Sequence, residues 1–207
     1  MKLKRKVKQV LNQVLLIGLL LIGAFLILSF LTYESPSKLP QKSSAMISEE
    51  VRNYEPLVEK YAKEHNVTEY VDVLMSMMMQ ESGGRGTDPM QSSESYCGQI
   101  GCIEDPELSI KQGVYYFQKT LEDAEGDLKL AIQSYNFGRG FIDYVQEQKG
   151  NYSVETAIDF SQHMYENAPD QSIYTCLREE AKQYEACYGD IYYVQSVMQY
   201  RDVLALE

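Results

Sequence analysis

The chain holds 207 residues with a formal net charge of −11, enough for one domain of ordinary size plus an appendage. From Lys38 onward, 14 basic side chains stand against 29 acidic ones. That imbalance argues against nonspecific nucleic-acid binding, which needs a basic face to displace counterions from phosphates, and leaves a neutral or cationic polymer open as substrate.

Residues 1–9 hold Lys2, Lys4, Arg5, Lys6 and Lys8 and no acid, and are predicted to be a basic cytoplasmic segment. Val14 to Leu31 follows as 18 residues without a charge. With its neighbours this run is long enough to cross a hydrocarbon core, and a basic flank stays on the cytoplasmic side. Residues 10–31 are therefore predicted to be a single-pass transmembrane signal anchor in the cell membrane. The rest of the chain would be extracellular, facing the cell wall. The rival is a cleaved signal peptide, whose apolar run is shorter, about 7–15 residues, and ends in a small-x-small site. "SFLTYESP" offers no such site. Residues 32–48, "TYESPSKLPQKSSAMIS", are predicted to be a linker with a random-coil reach of ~20–25 Å.

Residues 49–207 read as helices joined by short breaks, so the fold class is all-α: roughly seven helices around a central apolar one. Val51, Tyr54, Leu57, Val58, Tyr61 and Ala62 share one helical face, with Pro56 marking a kink or a late start. Thr68 is a candidate N-cap for a helix carrying Val71, Val73, Leu74, Met75, Met77, Met78 and Met79, stopped by Gly83 and Gly84. An apolar surface this broad predicts burial on most sides. Pro106 opens a helix through Leu121. Asp127 caps "LKLAIQSYNF", ended by Gly138. Phe141 to Gln148 is short. Ser153 caps "VETAIDFSQHMYENA", ended by Pro169. Gly189 and Asp190 precede the last, "IYYVQSVMQYRDVL". Alternating strands are absent from the pattern.

Four cysteines, Cys97, Cys102, Cys176 and Cys187, fit an oxidising location. Three connectivities are open, and two local bridges, Cys97–Cys102 and Cys176–Cys187, are favoured. A straight helix would hold Cys176 and Cys187 about 16 Å apart, so the second bridge requires the chain to fold back between them. No CxxC spacing is present and His65 and His163 lie far from both pairs, so no metal site is predicted.

The chemistry centres on "VLMSMMMQESGG", residues 73–84. Glu81 ends an apolar helix. A Met-rich wall desolvates its carboxyl and the helix C-terminus disfavours its charge; both raise its pKa. The glycines leave room for close approach of other backbone, including a substrate. A carboxylic acid kept protonated near neutral pH suits protonation of a leaving-group oxygen. Residue chemistry alone leaves a second reading open, a helix-end glutamate pointing into water. "DPMQSSES", with Asp88, Gln91, Ser92, Ser93, Glu94 and Ser95, could bond sugar hydroxyls or acetamido groups, or be an ordinary solvated loop. In "SYNFG", Tyr135 and Asn136 could serve a site or be a core tyrosine and a cap.

"QESGG" at 80–84, "MQ" at 90–91, "SYNFG" at 134–138 and "YVQSV" at 193–197 stand in the order of the goose-type lysozyme and lytic transglycosylase superfamily. The chain resembles that superfamily over roughly residues 51–200. It is similar in particular to the membrane-anchored Gram-positive branch that also holds the lysozyme domain of conjugative-transposon wall hydrolases. The resemblance implies peptidoglycan as substrate, cut at the β-1,4 bond after N-acetylmuramic acid. It implies Glu81 as catalytic acid/base and Gln91, Tyr135, Asn136 and Tyr193 as cleft residues. Ser82 would support local geometry, and Ser92 joins the substrate-binding candidates. The sequence departs from the pattern in four respects: the stretch between Glu81 and Met90 is much shorter than in most soluble lytic transglycosylases, Asp88 and Pro89 replace a Gly-Leu pair, Trp is absent, and the Cys176–Cys187 region looks like an insertion.

Two mechanisms remain open. Hydrolysis by two carboxylates needs a partner for Glu81, and Asp88 is the preferred candidate. A lytic transglycosylase manages with Glu81 alone, because the substrate's own hydroxyl closes an anhydro ring. A weakly active wall-binding or scaffold protein is the alternative outside catalysis. No cofactor is expected. The expected partners are peptidoglycan glycan strands, the membrane through the N-terminal helix, and cell-wall synthesis or division proteins; no nucleic acid is expected.

Overall fold

The computed structural model describes residues 46–148 and 150–206. The chain divides into two units, Met1–Ser44 and Ala45–Glu207, and the described residues lie in the second. The expected transmembrane segment and most of the expected linker fall outside them. Among the described residues no helix is long and apolar enough to cross a membrane.

That unit is all-helical. Its α-helices are α1 (Glu49–Asn53), α2 (Glu55–Glu64), α3 (Val71–Glu81), α4 (Ser93–Cys97), α5 (Pro106–Asp123), α6 (Leu128–Phe137), α7 (Gly140–Glu147), α8 (Val154–Glu166), α9 (Glu179–Lys182) and α10 (Tyr193–Leu204). Single 3-10 turns sit at Thr68–Tyr70 and Gln171–Ile173. The expected count of about seven falls short for identifiable reasons. Pro56 starts α2 afresh after Tyr54, splitting the first amphipathic stretch in two. The pieces α4 and α9 are too short to show a period. Thr68 opens a 3-10 turn rather than capping α3.

Where the sequence carries a capping side chain, the boundary is sharp. Ser48, Asp105, Asp127 and Ser153 each accept from a backbone N–H in the first turn of α1, α5, α6 and α8. Such caps stabilise a helix by roughly 1 kcal/mol each.

The Met-rich helix α3 is the axis of the domain. Val73, Leu74, Met75, Ser76, Met77 and Met78 are all buried. The last helix, α10, runs along it, with α1 and α2 also against it. The 18-residue α5 packs on α2 and α6, and α6 is shared by α5, α7 and α10. Phe137, Phe141, Phe160 and Tyr188 form an aromatic cluster with ring centroids 5.1–6.0 Å apart, which joins α6, α7 and α8 to the segment before α10. Unbranched methionine suits the crowded axis, because it fills irregular gaps between several neighbours. Of the two histidines, His163 meets Asn167, whereas His65 packs on Tyr115 with a buried Nε2 lacking a partner.

Both favoured disulfides form, Cys97–Cys102 and Cys176–Cys187. The chain does fold back between the second pair. It turns through α9 and brings the two Cα atoms within 4.2 Å.

Candidate active site

Glu81 is the last residue of α3, so the buried methionines form the wall behind it. The helix closes just beyond, where Gly83 N–H reaches Met78 O and Met79 O, each at 3.1 Å. Gly84, at φ +77, lies against α1; a Cβ there would stand 2.8 Å from the Val51 nitrogen. The space expected beside this glycine for a glycan strand is thus filled by the protein's own α1.

Tyr193, 1% exposed at the start of α10, donates its hydroxyl to Glu81 Oε1 at 2.6 Å. Burial raises the Glu81 carboxyl to about 7; the Tyr193 bond opposes the rise, and the charges of Asp88 and Asp190 add to it. Burial likewise pushes the Tyr193 hydroxyl well up, so it stays protonated and remains a donor. Glu81 keeps an accessible edge. That edge faces a cavity of about 220 Å³, lined also by Asp88, Gln91, Ser93, Glu94, Ile100, Gly101, Tyr135 and Asn136.

The loop after Glu81 is built around Asp88, which is 8% exposed. Its Oδ1 accepts from Ser109 Oγ at 2.6 Å and Ser92 N at 2.9 Å. Its Oδ2 accepts from Ser93 Oγ at 2.6 Å and Ser93 N at 3.0 Å. Burial pushes this carboxyl up, but the bonds from Ser109, Ser93 and the two backbone N–H groups outweigh it and hold the pKa below the ordinary value. Asp88 is therefore ionised and immobile, with both oxygens engaged. Ser82 Oγ donates to Pro89 O at 2.8 Å, and the Tyr135 hydroxyl donates to Met90 O at 2.8 Å. Met90 itself is buried against Gly113, where a Cβ would come within 2.7 Å of it. Gln91 takes a left-handed φ of 47° in the resulting turn and reaches Asp88 O through Nε2. A non-glycine residue holds that conformation only where its surroundings fix it.

A second cavity of about 270 Å³ is lined by Gln91, Ser92, Glu94, Ser95, Tyr116, Tyr135, Asn136, Phe137, Gly138 and Tyr188. Gln91, Glu94, Tyr135 and Asn136 line both cavities. The two are neighbouring compartments of one cleft, with Glu81 in one and tyrosines in the other. Their charged lining is acidic, Glu81, Asp88 and Glu94, with no Lys or Arg.

Of the candidates read from sequence, Glu81, Asp88, Gln91, Ser92, Tyr135 and Asn136 line the cleft. Ser82 and Tyr193 do not. Ser82 ties the loop to Pro89, and Tyr193 meets Glu81 from behind. The Ser92 hydroxyl turns inward, to Ser109 O at 2.9 Å. Several residues escaped sequence reasoning. Ser109 sits in the first turn of α5 with no motif around it. Ile100 and Gly101 reach the cleft because the Cys97–Cys102 bridge folds their loop there. Tyr116 and Tyr188 supply aromatic faces in a chain without Trp.

The chain is similar to several known proteins. The family model described as Lysozyme-like matches residues 48–201. The uncharacterized membrane protein YocA of Bacillus subtilis is 38% identical over 95% of this chain and 89% of its own length. The bifunctional muramidase/DL-endopeptidase CwlT of Bacillus subtilis is 41% identical over 74% of this chain, a match spanning 42% of CwlT. A pneumococcal vaccine antigen A homolog of Streptococcus pyogenes is 40% identical over 52% of this chain and 56% of its own. Among solved structures, a Staphylococcus aureus protein described as similar to lipoprotein, NLP/P60 family, superposes with a TM-score of 0.65 at 37% identity, covering 75% of this chain and 54% of that one. The ordered motifs, the helical fold and these matches agree, and the chain belongs to the lysozyme-like family.

Proposed function

We propose that the domain at residues 49–207 cleaves peptidoglycan glycan strands at the MurNAc-β-1,4-GlcNAc bond, with Glu81 as general acid/base. The observation that carries this is a carboxyl raised to about 7 at the cleft, held by a buried tyrosine donor. Near neutral pH a substantial fraction of Glu81 is protonated and can give its proton to the glycosidic oxygen as the bond breaks. Tyr193 occupies Oε1 and leaves Oε2 to face the substrate. Gln91 and Asn136, in both compartments, offer amide groups to the sugars flanking the scissile bond. Tyr116 and Tyr188 offer stacking faces. The muramidase activity in the name of CwlT supports the same reading.

The oxocarbenium-like transition state carries positive charge on the sugar. Asp88 is held ionised in the compartment that contains Glu81 and stabilises that charge electrostatically. Its full set of donors favours this role over activation of a water. The same observation keeps the lytic transglycosylase reading in play, since that route needs no second base. Mass spectrometry of digested wall separates the two. Reducing ends support hydrolysis, and 1,6-anhydro-MurNAc ends support the lyase.

Glu81→Gln tests the catalytic assignment itself. General acid catalysis contributes ~10²–10⁴-fold, so a zymogram should lose clearing. Equal clearing by both forms overturns the Glu81 assignment, and clearing by neither overturns the enzyme and leaves the wall-binding scaffold. The membrane-protein name of YocA, matched along nearly its whole length, supports an anchored domain working close to the membrane, where cell-wall synthesis or division proteins would be its partners. Protease protection of the N-terminal residues in intact cells tests that topology.

A further inference from the structure

We infer that the disulfide-closed insertion between Cys176 and Cys187 works with Asp190 as a brace: it fixes Asn136 as a one-way hydrogen-bond donor in the cleft and holds it in register with Tyr193, and Arg178 and Asp190 are its positioning residues. The inference rests on the proposed use of this cleft.

Asp190 is the hub. It is 5% exposed and follows the insertion directly. Arg178, inside the disulfide loop, grips its carboxylate with two bonds, Nε to Oδ1 at 2.6 Å and Nη2 to Oδ2 at 2.7 Å. The same Nη2 reaches Ser196 Oγ on α10 at 2.7 Å. The hub's backbone faces the other way, onto α6. Asp190 N–H donates to Asn136 Oδ1 at 2.8 Å, and Asp190 O accepts from Gln133 Nε2 at 2.9 Å. Towards α10, Asp190 O also accepts from Tyr193 N–H at 3.1 Å, and Oδ1 accepts from Tyr192 N–H at 2.9 Å. One residue thus joins the helix bearing Asn136 to the helix whose Tyr193 bonds Glu81.

The bond to Asn136 has a chemical consequence. A backbone N–H can only donate, so the amide atom it meets must be the carbonyl oxygen. The Asn136 NH2 group is then the end left for the cleft, and it offers protons only. It suits an acceptor on the glycan and rejects a bare donor. Gly189 enforces the close approach. At φ +63, a Cβ there would lie 2.7 Å from both Asn136 Oδ1 and the Phe137 ring. The disulfide matters because Arg178 otherwise sits in a segment with little regular structure, only the short α9. Cys176–Cys187 shortens the free chain on either side of the Arg178–Asp190 pair, and bidentate Arg–carboxylate geometry fixes direction as well as distance.

The test uses the full-length chain in detergent, oxidised, with Arg178→Ala and the milder Arg178→Lys and Ser196→Ala. Arg178→Ala should lower kcat about tenfold, because small displacements of positioning groups cost disproportionate rate. Added to Asn136→Ala, it should cause less than a further twofold loss, since the brace then has nothing to hold. A merely structural arginine would give additive losses that follow the fraction folded, and that result overturns the proposal. A second readout does not depend on activity. The Asn136 side-chain NH2 resonances should shift and broaden in Arg178→Ala, and in wild type when Cys176–Cys187 is reduced, while the backbone amide spectrum keeps its native dispersion. Unmoved Asn136 resonances overturn the brace whatever the kinetics. If Arg178→Ala does not fold, Arg178→Lys and Ser196→Ala should move the same resonances by smaller amounts, and their failure to do so has the same force. A protein inactive in wild-type form but with these shifts would sink the proposed function and leave the brace standing.

Discussion

Two segments outside the long helices shape the cleft, and they are built differently. Residues 82–97 are held by one buried carboxylate, Asp88, whose oxygens collect donors from Ser92, Ser93 and Ser109. Residues 176–190 are held by a disulfide and an ion pair that reach α6 and α10. The first is a compact loop shaped by hydrogen bonds that converge on Asp88 from its own serines and from Ser109 on α5. The second has little shape of its own and takes its position from what it grips. A loop organised by local bonds must keep its residue types at fixed spacing. A segment organised by a covalent staple and one arginine can vary everywhere else.

The largest expected effect therefore lies in the first segment. Asp88→Ala strips acceptors from buried hydroxyls and N–H groups at once. Leaving buried donors unpaired costs about 1–3 kcal/mol per group, offset in part where water enters. We expect a loss of about 2–4 kcal/mol by chemical denaturation, together with loss of wall clearing. A loss under about 1 kcal/mol would mean the loop is held elsewhere and would break the contrast. The sign of the pH effect sharpens it. The Asp88 pKa is lowered on folding, so its contribution is present above the unfolded value near 3.8 and is lost as pH falls through the lower folded value. Wild type should lose stability in acid more steeply than Asp88→Asn, which thermal melts between pH 2 and pH 6 would show.

Glu81 titrates in the opposite sense. Its folded pKa, about 7, stands above the ordinary 4.5. The native state then holds a proton the unfolded chain has released, so stability falls as pH rises from about 4.5 to about 7 and stays reduced above. Glu81→Gln removes that cost. It should stabilise the protein at pH 8, by at most about 3 kcal/mol, and leave it nearly unchanged at pH 4. An unchanged or lower melting temperature at pH 8 would argue that the carboxyl is not strained by its site.

The same contrast explains what the sequence revealed. Pro106, Asp127 and Ser153 marked the starts of α5, α6 and α8 closely, because each leaves a local signature. The residues around Glu81 stood out because their motifs follow the order of the lysozyme-like superfamily; residue chemistry alone left Glu81 and the serine-rich loop open. Even there the physics was incomplete. Gly84 was read as room for substrate, yet it is room for α1, a contact 33 residues away that no local pattern encodes. Ser109, Tyr116 and Tyr188 were invisible for the same reason: each acts through tertiary approach. Arg178 and Asp190 were hidden most deeply. Their pairing across 12 residues is set by a fold-back that the cysteines permit but do not specify.

The smallest expected effect tests whether the two segments meet at Glu81. The Tyr193 hydroxyl is the bond that opposes the rise in the Glu81 pKa, and Tyr193 is held from the second segment through Asp190. Tyr193→Phe removes that bond and little volume, leaving burial and the negative charges of Asp88 and Asp190 to act unopposed. The Glu81 pKa should then rise above about 7. In the pH–rate profile of wall digestion, the limb on which activity falls with rising pH should move to higher pH. Rate at pH 6 should change only a few-fold, because the proton donor is still present and still protonated there. A limb that stays in place, or moves to lower pH, would mean that the tyrosine does not set the proton affinity of Glu81. The loop and the disulfide-closed segment would then shape the cleft independently.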